Sequence, residues 1–143
     1  MKITVKTVAL AAGLLAMSPL GGIQAQEDTT ISDADIKVLD FESLKYPVLA
    51  LQTSYQGIVV IRVKLDNDGK VAAAVAISGH PLLIPDCLAN VKKWRFQANS
   101  SHAAVIVYNF KLSYAAKCKS AGSFFTLEAP NLATIIDCVR TIQ

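Results

Sequence analysis

The chain has 143 residues, 52% of them hydrophobic, a mean hydropathy of +0.40 and a formal net charge of +3. That length holds one domain at most. Lys92, Lys93 and Arg95 form the only basic cluster. It is too narrow for the broad basic stripe of a nucleic-acid surface, so a solvated helix face is expected and nucleic acid is excluded as a partner.

The N-terminus has the layout of an export signal. Lys2 and Lys6 make a basic start, Thr7 to Ile23 carries no charge, Pro19, Gly21 and Gly22 break the run, and Ile23-Gln24-Ala25 resembles a cleavage site. Residues 1–25 are therefore expected to be a signal peptide, placing the mature chain in the periplasm or outside the cell. The alternative is an uncleaved inner-membrane anchor facing the periplasm, although the apolar run is only marginally long enough to span a bilayer. Removing residues 1–25 takes two lysines from the fourteen basic residues and leaves twelve against eleven acidic ones, a net charge of +1.

Residues 26–44 are polar and acidic and form a lead-in segment without proline. Tyr46-Pro47 then opens a helix whose apolar face is Val48, Leu51 and Tyr55, broadened by Leu49 and Ala50 and ended by Gly57. From Ile58 to Leu65 the chain alternates, with Val59, Ile61, Val63 and Leu65 on one face and Arg62 and Lys64 on the other. Asp66-Asn67-Asp68-Gly69 supplies a hairpin turn. On the return strand Val71, Ala73, Val75 and Ile77 are expected on the core face, with Ala72, Ala74 and Ala76 opposite.

Ser78-Gly79-His80-Pro81 stops that strand. Pro85 and Asp86 start a second helix, with Ile84, Cys87, Leu88, Val91 and Trp94 on one apolar stripe and Asn90, Lys92 and Lys93 outside it. Gln97 to His102 is a loop. Ala103 to Tyr114 alternates as a third strand, with Ile106, Tyr108, Phe110, Leu112 and Tyr114 facing one way. Beyond it, residues 115–143 form a cysteine-bearing extension. There Phe124–Leu127 reads as a short strand, and the isoleucines of Leu132–Val139 favour a strand over a helix.

Tyr46-Pro47, Gly57 before an alternating strand, Val63-x-Leu65-Asp66-x-Asp68-Gly69-x-Val71, Ser78-Gly79-His80-Pro81-Leu82-Leu83 and Val91-Lys92-Lys93-Trp94-Arg95-Phe96 stand in this order before the third strand. Together they resemble the TonB C-terminal domain family over residues 45–114. The resemblance implies an α+β fold of helix–strand–strand–helix–strand order, a three-stranded antiparallel sheet with two helices on one face. It also implies a protein-binding module. Energy transducers of this kind grip a short segment of an outer-membrane receptor by adding it as a strand to the edge of the sheet, and a membrane helix and a long proline-rich linker join the domain to a motor.

This chain departs from that plan in its cleavable N-terminal run and its lead-in, which reaches at most about 70 Å when extended. The extension after Tyr114 departs as well. One of its strands, Phe124–Leu127 or Leu132–Val139, could pair with the open sheet edge, since a bare edge strand needs protection; whether the tail closes that edge is left open by the sequence.

No acid, base and nucleophile converge in the sequence, so no enzyme activity, cofactor or metal site is expected. Cys87 lies on the apolar stripe, where an inert buried thiol outweighs a Cys–His nucleophile. His80 precedes a proline in a turn. His80, Cys87 and His102 lack paired ligand spacing, and Asn99-Ser100-Ser101 is a chance sequon. Cys118 and Cys138 both lie in the extension and are the favoured disulfide, with Cys87 left over.

The expectation is thus a non-enzymatic periplasmic or secreted binding module working by sheet-edge contacts. The third strand, through Val105, Val107, Asn109, Lys111 and Ser113, is the expected contact edge. The partner is a protein, either an outer-membrane receptor segment or a second copy of the chain. The alternative is a short energy transducer anchored by residues 7–23 that contacts receptors in TonB-dependent transport.

Overall fold

A computed structural model of the chain describes residues 35–114, 118 and 120–139. The expected signal peptide, the first part of the lead-in and part of the loop after Tyr114 lie outside the described residues. Among the described residues, no helix is long and apolar enough to cross a membrane.

The elements in chain order are β1 (Val38–Asp40), α1 (Val48–Gln52), β2 (Gly57–Leu65), β3 (Val71–Ser78), α2 (Ile84–Val91), β4 (Arg95–Phe96), β5 (Ala103–Tyr114), β6 (Gly122–Glu128) and β7 (Leu132–Val139). The fold is α+β. The helix–strand–strand–helix–strand order of residues 45–114 is present, with the short β4 added between α2 and β5. Within the lead-in, β1 pairs antiparallel with β4 as a separate two-stranded ribbon.

The main sheet differs from the expected three antiparallel strands. It has five, in the order β3-β2-β5-β7-β6. The β3-β2-β5 half is antiparallel, β7 runs parallel to β5, and β6 closes back on β7 as an antiparallel hairpin. The reason lies in the backbone of β5. Its N–H and C=O groups on the side away from β2 need partners if they are not to face water or be buried unpaired. The tail supplies them from Val107 to Tyr114. Of the two tail segments, Leu132–Val139 is the one that pairs with β5.

The strictly alternating β2 buries Val59, Ile61, Val63 and Leu65. Its turn is set by Asp66, whose Oδ1 accepts the backbone N–H groups of Asp68 and Lys70, each at 2.9 Å. Gly69 takes φ +77°, and a Cβ there would stand 1.8 Å from the carbonyl oxygen of Phe96, so no other residue fits. The same glycine accepts the Phe96 N–H at 2.9 Å, which ties the hairpin turn to β4.

On β3 the expected phase is wrong. The register against β2 slips twice, between Lys64↔Ala73 and Leu65↔Val71 and between Ile61↔Ala76 and Val60↔Ser78, leaving Ala72 and Ile77 without partners. Each unpaired residue shifts the side-chain alternation by one. Val71, Ala74 and Ala76 therefore pack on the core, while Ala73 and Val75 face the other way, and Val75 is 64% exposed. The face of α1 is also misplaced: Ala50 is its buried residue, Leu51 and Tyr55 are half-buried or packed on the core, but Val48 is 67% exposed.

Helix α2 lies over β2 and β3, with Pro85 in its first turn and Asp86 beside it. Its Cys87 and Val91 are buried, and Leu88 packs at the margin. Trp94 and Phe96 follow into the core, where Trp94 meets Tyr108 with centroids 5.9 Å apart and Phe125 of the tail at 6.3 Å. On β7, Ala133 and Ile135 are completely buried on the same side. The extension is thus part of the core.

Cys118 and Cys138 are joined by a disulfide, and Cys87 is a free buried thiol. Because β7 carries fully buried side chains, Ile135→Ala is expected to lower unfolding stability by about 2–5 kcal/mol in urea titrations followed by tryptophan fluorescence. Cys118→Ser with Cys138→Ser should cost about 3 kcal/mol, the loop-closure contribution of a bridge of this span. A tail that only decorates the domain would leave both midpoints unchanged.

Candidate functional site

The edge expected to receive a partner is closed. Val107, Asn109, Lys111 and Ser113 stand opposite Leu132, Thr134, Ile136 and Cys138 in a continuous parallel ladder. Just above it, Asn131 continues the cover: its carbonyl accepts the Val107 N–H at 2.9 Å, and its Nδ2 donates to the Val105 carbonyl at 2.9 Å. Val107 and Asn109 therefore have strand partners on both sides, Val105 is paired with β2 and covered by Asn131, and Lys111 and Ser113, beyond the β2 register, are paired with β7.

The tail is held there by polar contacts as well as by packing. Asp137, buried on β7, accepts a hydrogen bond from the Ser123 hydroxyl of β6, and Ser123 Oγ in turn accepts the backbone N–H of Tyr46 at 3.0 Å. This chain of bonds joins both tail strands to the start of the family-like segment. Phe125 stacks on Phe41 of the lead-in with centroids 5.6 Å apart, and Phe41 reaches Trp94 at 5.8 Å.

Two sheet edges remain, β3 and β6. The unpaired Ala72 and Ile77 limit the regular part of β3 to Ala73–Ala76. Irregularities of this kind are a common protection of sheet edges against further pairing. β6 has no such defence. Its register with β7 is unbroken from Gly122↔Cys138 to Glu128↔Leu132. It contains no proline or lysine, and its single charge is Glu128 at one end. Phe124 lies 46% exposed on the sheet face opposite the helices, and Phe41 lies 44% exposed beside Phe125 on the helix side. Among the described residues, β6 is the regular strand with one free edge. Sequence reasoning recognised Phe124–Leu127 as a strand but not as an edge. The alternation of Ser123, Phe125 and Leu127 carried that signal, whereas strand order does not show in a single sequence.

The residues weighed for chemistry do not converge. His80 is a turn residue: its Nδ1 accepts the Leu82 N–H at 3.2 Å, its carbonyl accepts the N–H groups of Leu83 and Ile84, and its ring lies 3.9 Å from that of Tyr55. His102 sits at the other end of β2, where its carbonyl accepts the Leu65 N–H. It lines a cavity of about 280 Å³ with Arg62, Lys64 and Ser101. Cys87 is fully buried, and burial, aided by the Asp86 charge, pushes its thiol far above the ordinary range. A thiol held protonated is no nucleophile. Among the described residues, no group of three His, Cys, Asp or Glu side chains gathers as a metal site.

Asn90, expected outside the apolar stripe, is buried instead. Its Oδ1 accepts from Trp94 Nε1 at 3.0 Å and from the Tyr108 hydroxyl at 2.9 Å, and its Nδ2 donates to the Glu42 carbonyl at 2.9 Å. The i, i+4 spacing of Asn90 and Trp94, across the end of α2, was the available clue. Lys93 of the basic cluster bridges to Glu42 at 2.9 Å across the same junction.

The described residues thus present a helix-backed sheet with histidines in structural positions, a buried thiol and one regular, unpaired edge at β6. Residues 42–114 match the family model described as Gram-negative bacterial TonB protein C-terminal. The chain belongs to this family. Searches of curated proteins and of solved structures each found no match.

Tyr46 provides a titratable reporter of the junction between this domain and its tail. Burial, and then the nearby Asp137 carboxylate, push its phenol up from 10.0 to about 12. The raised value means that the folded state holds the proton more tightly than the unfolded chain does. Its contribution to stability is therefore complete below pH 10.0 and lost as the pH rises through about 12. Urea midpoints are expected to fall across that window, and Tyr46→Phe, which has no phenol to ionise, should flatten the slope. The buried Tyr108, also shifted upward, should retain a part of it.

Proposed function

We propose that the chain is an exported, non-enzymatic interaction module of the bacterial cell envelope that holds an extended protein segment at a sheet edge, and that β6 is the contact strand. The observation that carries this reading is the pairing of β5 with β7: the tail fills the position beside the third strand and moves the free edge outward to β6. Main-chain hydrogen bonds along such an edge provide affinity, and alternate side chains provide selectivity.

Contact at Val105–Ser113 would first require β7 to leave. That re-exposes Ile135, a side chain whose burial alone is worth about 1.5–3 kcal/mol, together with Ala133 and the buried Asp137. Family membership supports a protein partner. An outer-membrane receptor segment and a second copy of the chain both have the chemistry to add as a strand. The N-terminal pattern of Lys2, Lys6 and the uncharged Thr7–Ile23 run supports export and cleavage.

Site-specific photocrosslinking tests the edge. A photoreactive residue at Thr126 is expected to give protein crosslinks in envelope preparations, and one at Asn109 to give none. Crosslinks from Asn109 with none from Thr126 would return the contact to β5 and sink the β6 reading. For localisation, N-terminal sequencing of the protein recovered from the periplasmic fraction should begin near Gln26. Recovery of an intact N-terminus in the membrane fraction would favour the anchored transducer instead.

A further inference from the structure

We propose that the cavity between the end of β2 and the start of β5 is a binding site for a phosphate monoester, held by Arg62, Lys64 and His102. It is separated from β6 by β5 and β7, so it stands apart from the edge contact proposed above. Its volume is about 280 Å³, close to the lower end of small-molecule sites, and Arg62, Lys64, Leu65, Ser101, His102 and Ala103 line it.

The strand pattern explains why two cations meet there. Val59, Ile61, Val63 and Leu65 turn into the core, so Arg62 and Lys64 project together from the opposite face of the sheet. Their Cα atoms are about 7 Å apart, two residues along a strand. Lys64 stands between Ala103 of β5 and Ala73 of β3. Neither alanine has a side chain long enough to fill the space beside the lysine stem, and a hollow is left where larger residues would close the surface.

His102 completes the set from the loop before β5. Its backbone, at φ +48°, is tied on both sides: the N–H donates to the Asn99 carbonyl at 3.2 Å, and the carbonyl accepts the Leu65 N–H at 2.8 Å. The Asn99 side chain braces the same loop. It accepts from the Ser101 hydroxyl at 3.0 Å and from the Ala103 N–H at 3.2 Å, and it donates to the Ala103 carbonyl at 2.8 Å. These bonds occupy the backbone of His102 and the hydroxyl of Ser101, and they leave the imidazole to a ligand. A loop already held in place has little ordering left to lose on binding.

The charge balance selects the ligand. Among the described residues the ion pair is that of Lys93 with Glu42, and neither Arg62 nor Lys64 has a carboxylate partner. None of the residues lining the cavity is acidic. Asp66, the acid next in sequence, is turned into the hairpin, where its Oδ1 accepts the N–H groups of Asp68 and Lys70. Two fixed positive charges in one hollow match a dianion, and a phosphate monoester carries close to two negative charges at neutral pH. The guanidinium offers a fork of donors, the ammonium a compact charge and the imidazole one further N–H. A tetrahedral phosphate has an oxygen for each of the three groups, whereas a carboxylate has only two oxygens. Leu65 and Ala103 supply apolar wall for the group that the phosphate esterifies.

Calorimetric titration of the mature chain with phenyl phosphate tests the proposal, with a Kd of about 1 mM or tighter expected. Benzoate, the same ring on a planar monoanion, should bind at least about tenfold more weakly. Arg62→Gln and Lys64→Gln should each weaken phenyl phosphate by about tenfold, the loss of one charge-assisted hydrogen bond, with urea midpoints unchanged. Lys111→Gln removes an equal charge from the same sheet face beyond the cavity and should leave binding as it is. Vesicles containing phosphatidic acid offer the same group on a lipid. Arg62-dependent cosedimentation with them, without a response to phenyl phosphate, would assign the phosphate to a membrane headgroup, and the converse would assign it to a soluble ester. Binding to neither probe overturns the proposal. So does benzoate binding as tightly as phenyl phosphate, or a loss on Lys111→Gln equal to that on Arg62→Gln. Crosslinking at Thr126 reads the β6 contact separately, so either reading can fail alone.

Discussion

The carboxamide of Asn90 is the junction on which the rest of the structure depends. It sits near the end of α2, receives the indole N–H of Trp94 and the hydroxyl of Tyr108, and donates to the backbone of the lead-in at Glu42. One side chain thereby ties a helix, the largest core residue, the central strand β5 and the segment that crosses beneath the tail. The Asn90, Trp94 and Tyr108 groups lie in a poorly hydrated interior, where an unmade hydrogen bond is costly. No buried side-chain nitrogen or oxygen among the described residues lacks a partner. The network fixes where Trp94 lies, and Trp94 in turn presents the surface on which Phe41 and Phe125 pack.

The tail follows from that arrangement. In a three-stranded version of this sheet, one flank of β5 and the neighbouring aromatic surface would face water. The extension covers both: β7 satisfies the backbone of β5, and Ile135 and Phe125 cover the aromatic surface. Ser123 and Asp137 supply the polar link back to Tyr46. The family-like segment and its extension share one core and one sheet.

Much of this was legible in the sequence where a local rule acts alone. The strict alternation of Val59, Ile61, Val63 and Leu65, the Asp66–Gly69 turn and the stripe through Cys87, Val91 and Trp94 each follow from a period of 2 or 3.6 residues. The pairing of Cys118 with Cys138 followed from their shared segment. The phase of β3 was not legible, because Ala72 and Ile77 break the period and the alanines on either face look alike. Asn90 was misplaced since an asparagine on a helix reads as solvated until its partners, Tyr108 and Glu42, are brought in from distant parts of the chain. The contact edge was assigned to β5 because strand order is a property of the folded sheet. Val105 to Ser113 do form a strand, but β7 pairs along it from Val107 onward, on the side away from β2.

The order β5-β7-β6 has a consequence for how the molecule is assembled. After β5 the chain passes over the neighbouring position, lays down β6 one place further out, and only then returns to fill the gap with β7. Of the two tail strands, the later in sequence is therefore the one that attaches its predecessor to the sheet. Neither tail strand can join the sheet until β7 has paired, and the flank of β5 stays uncovered until then.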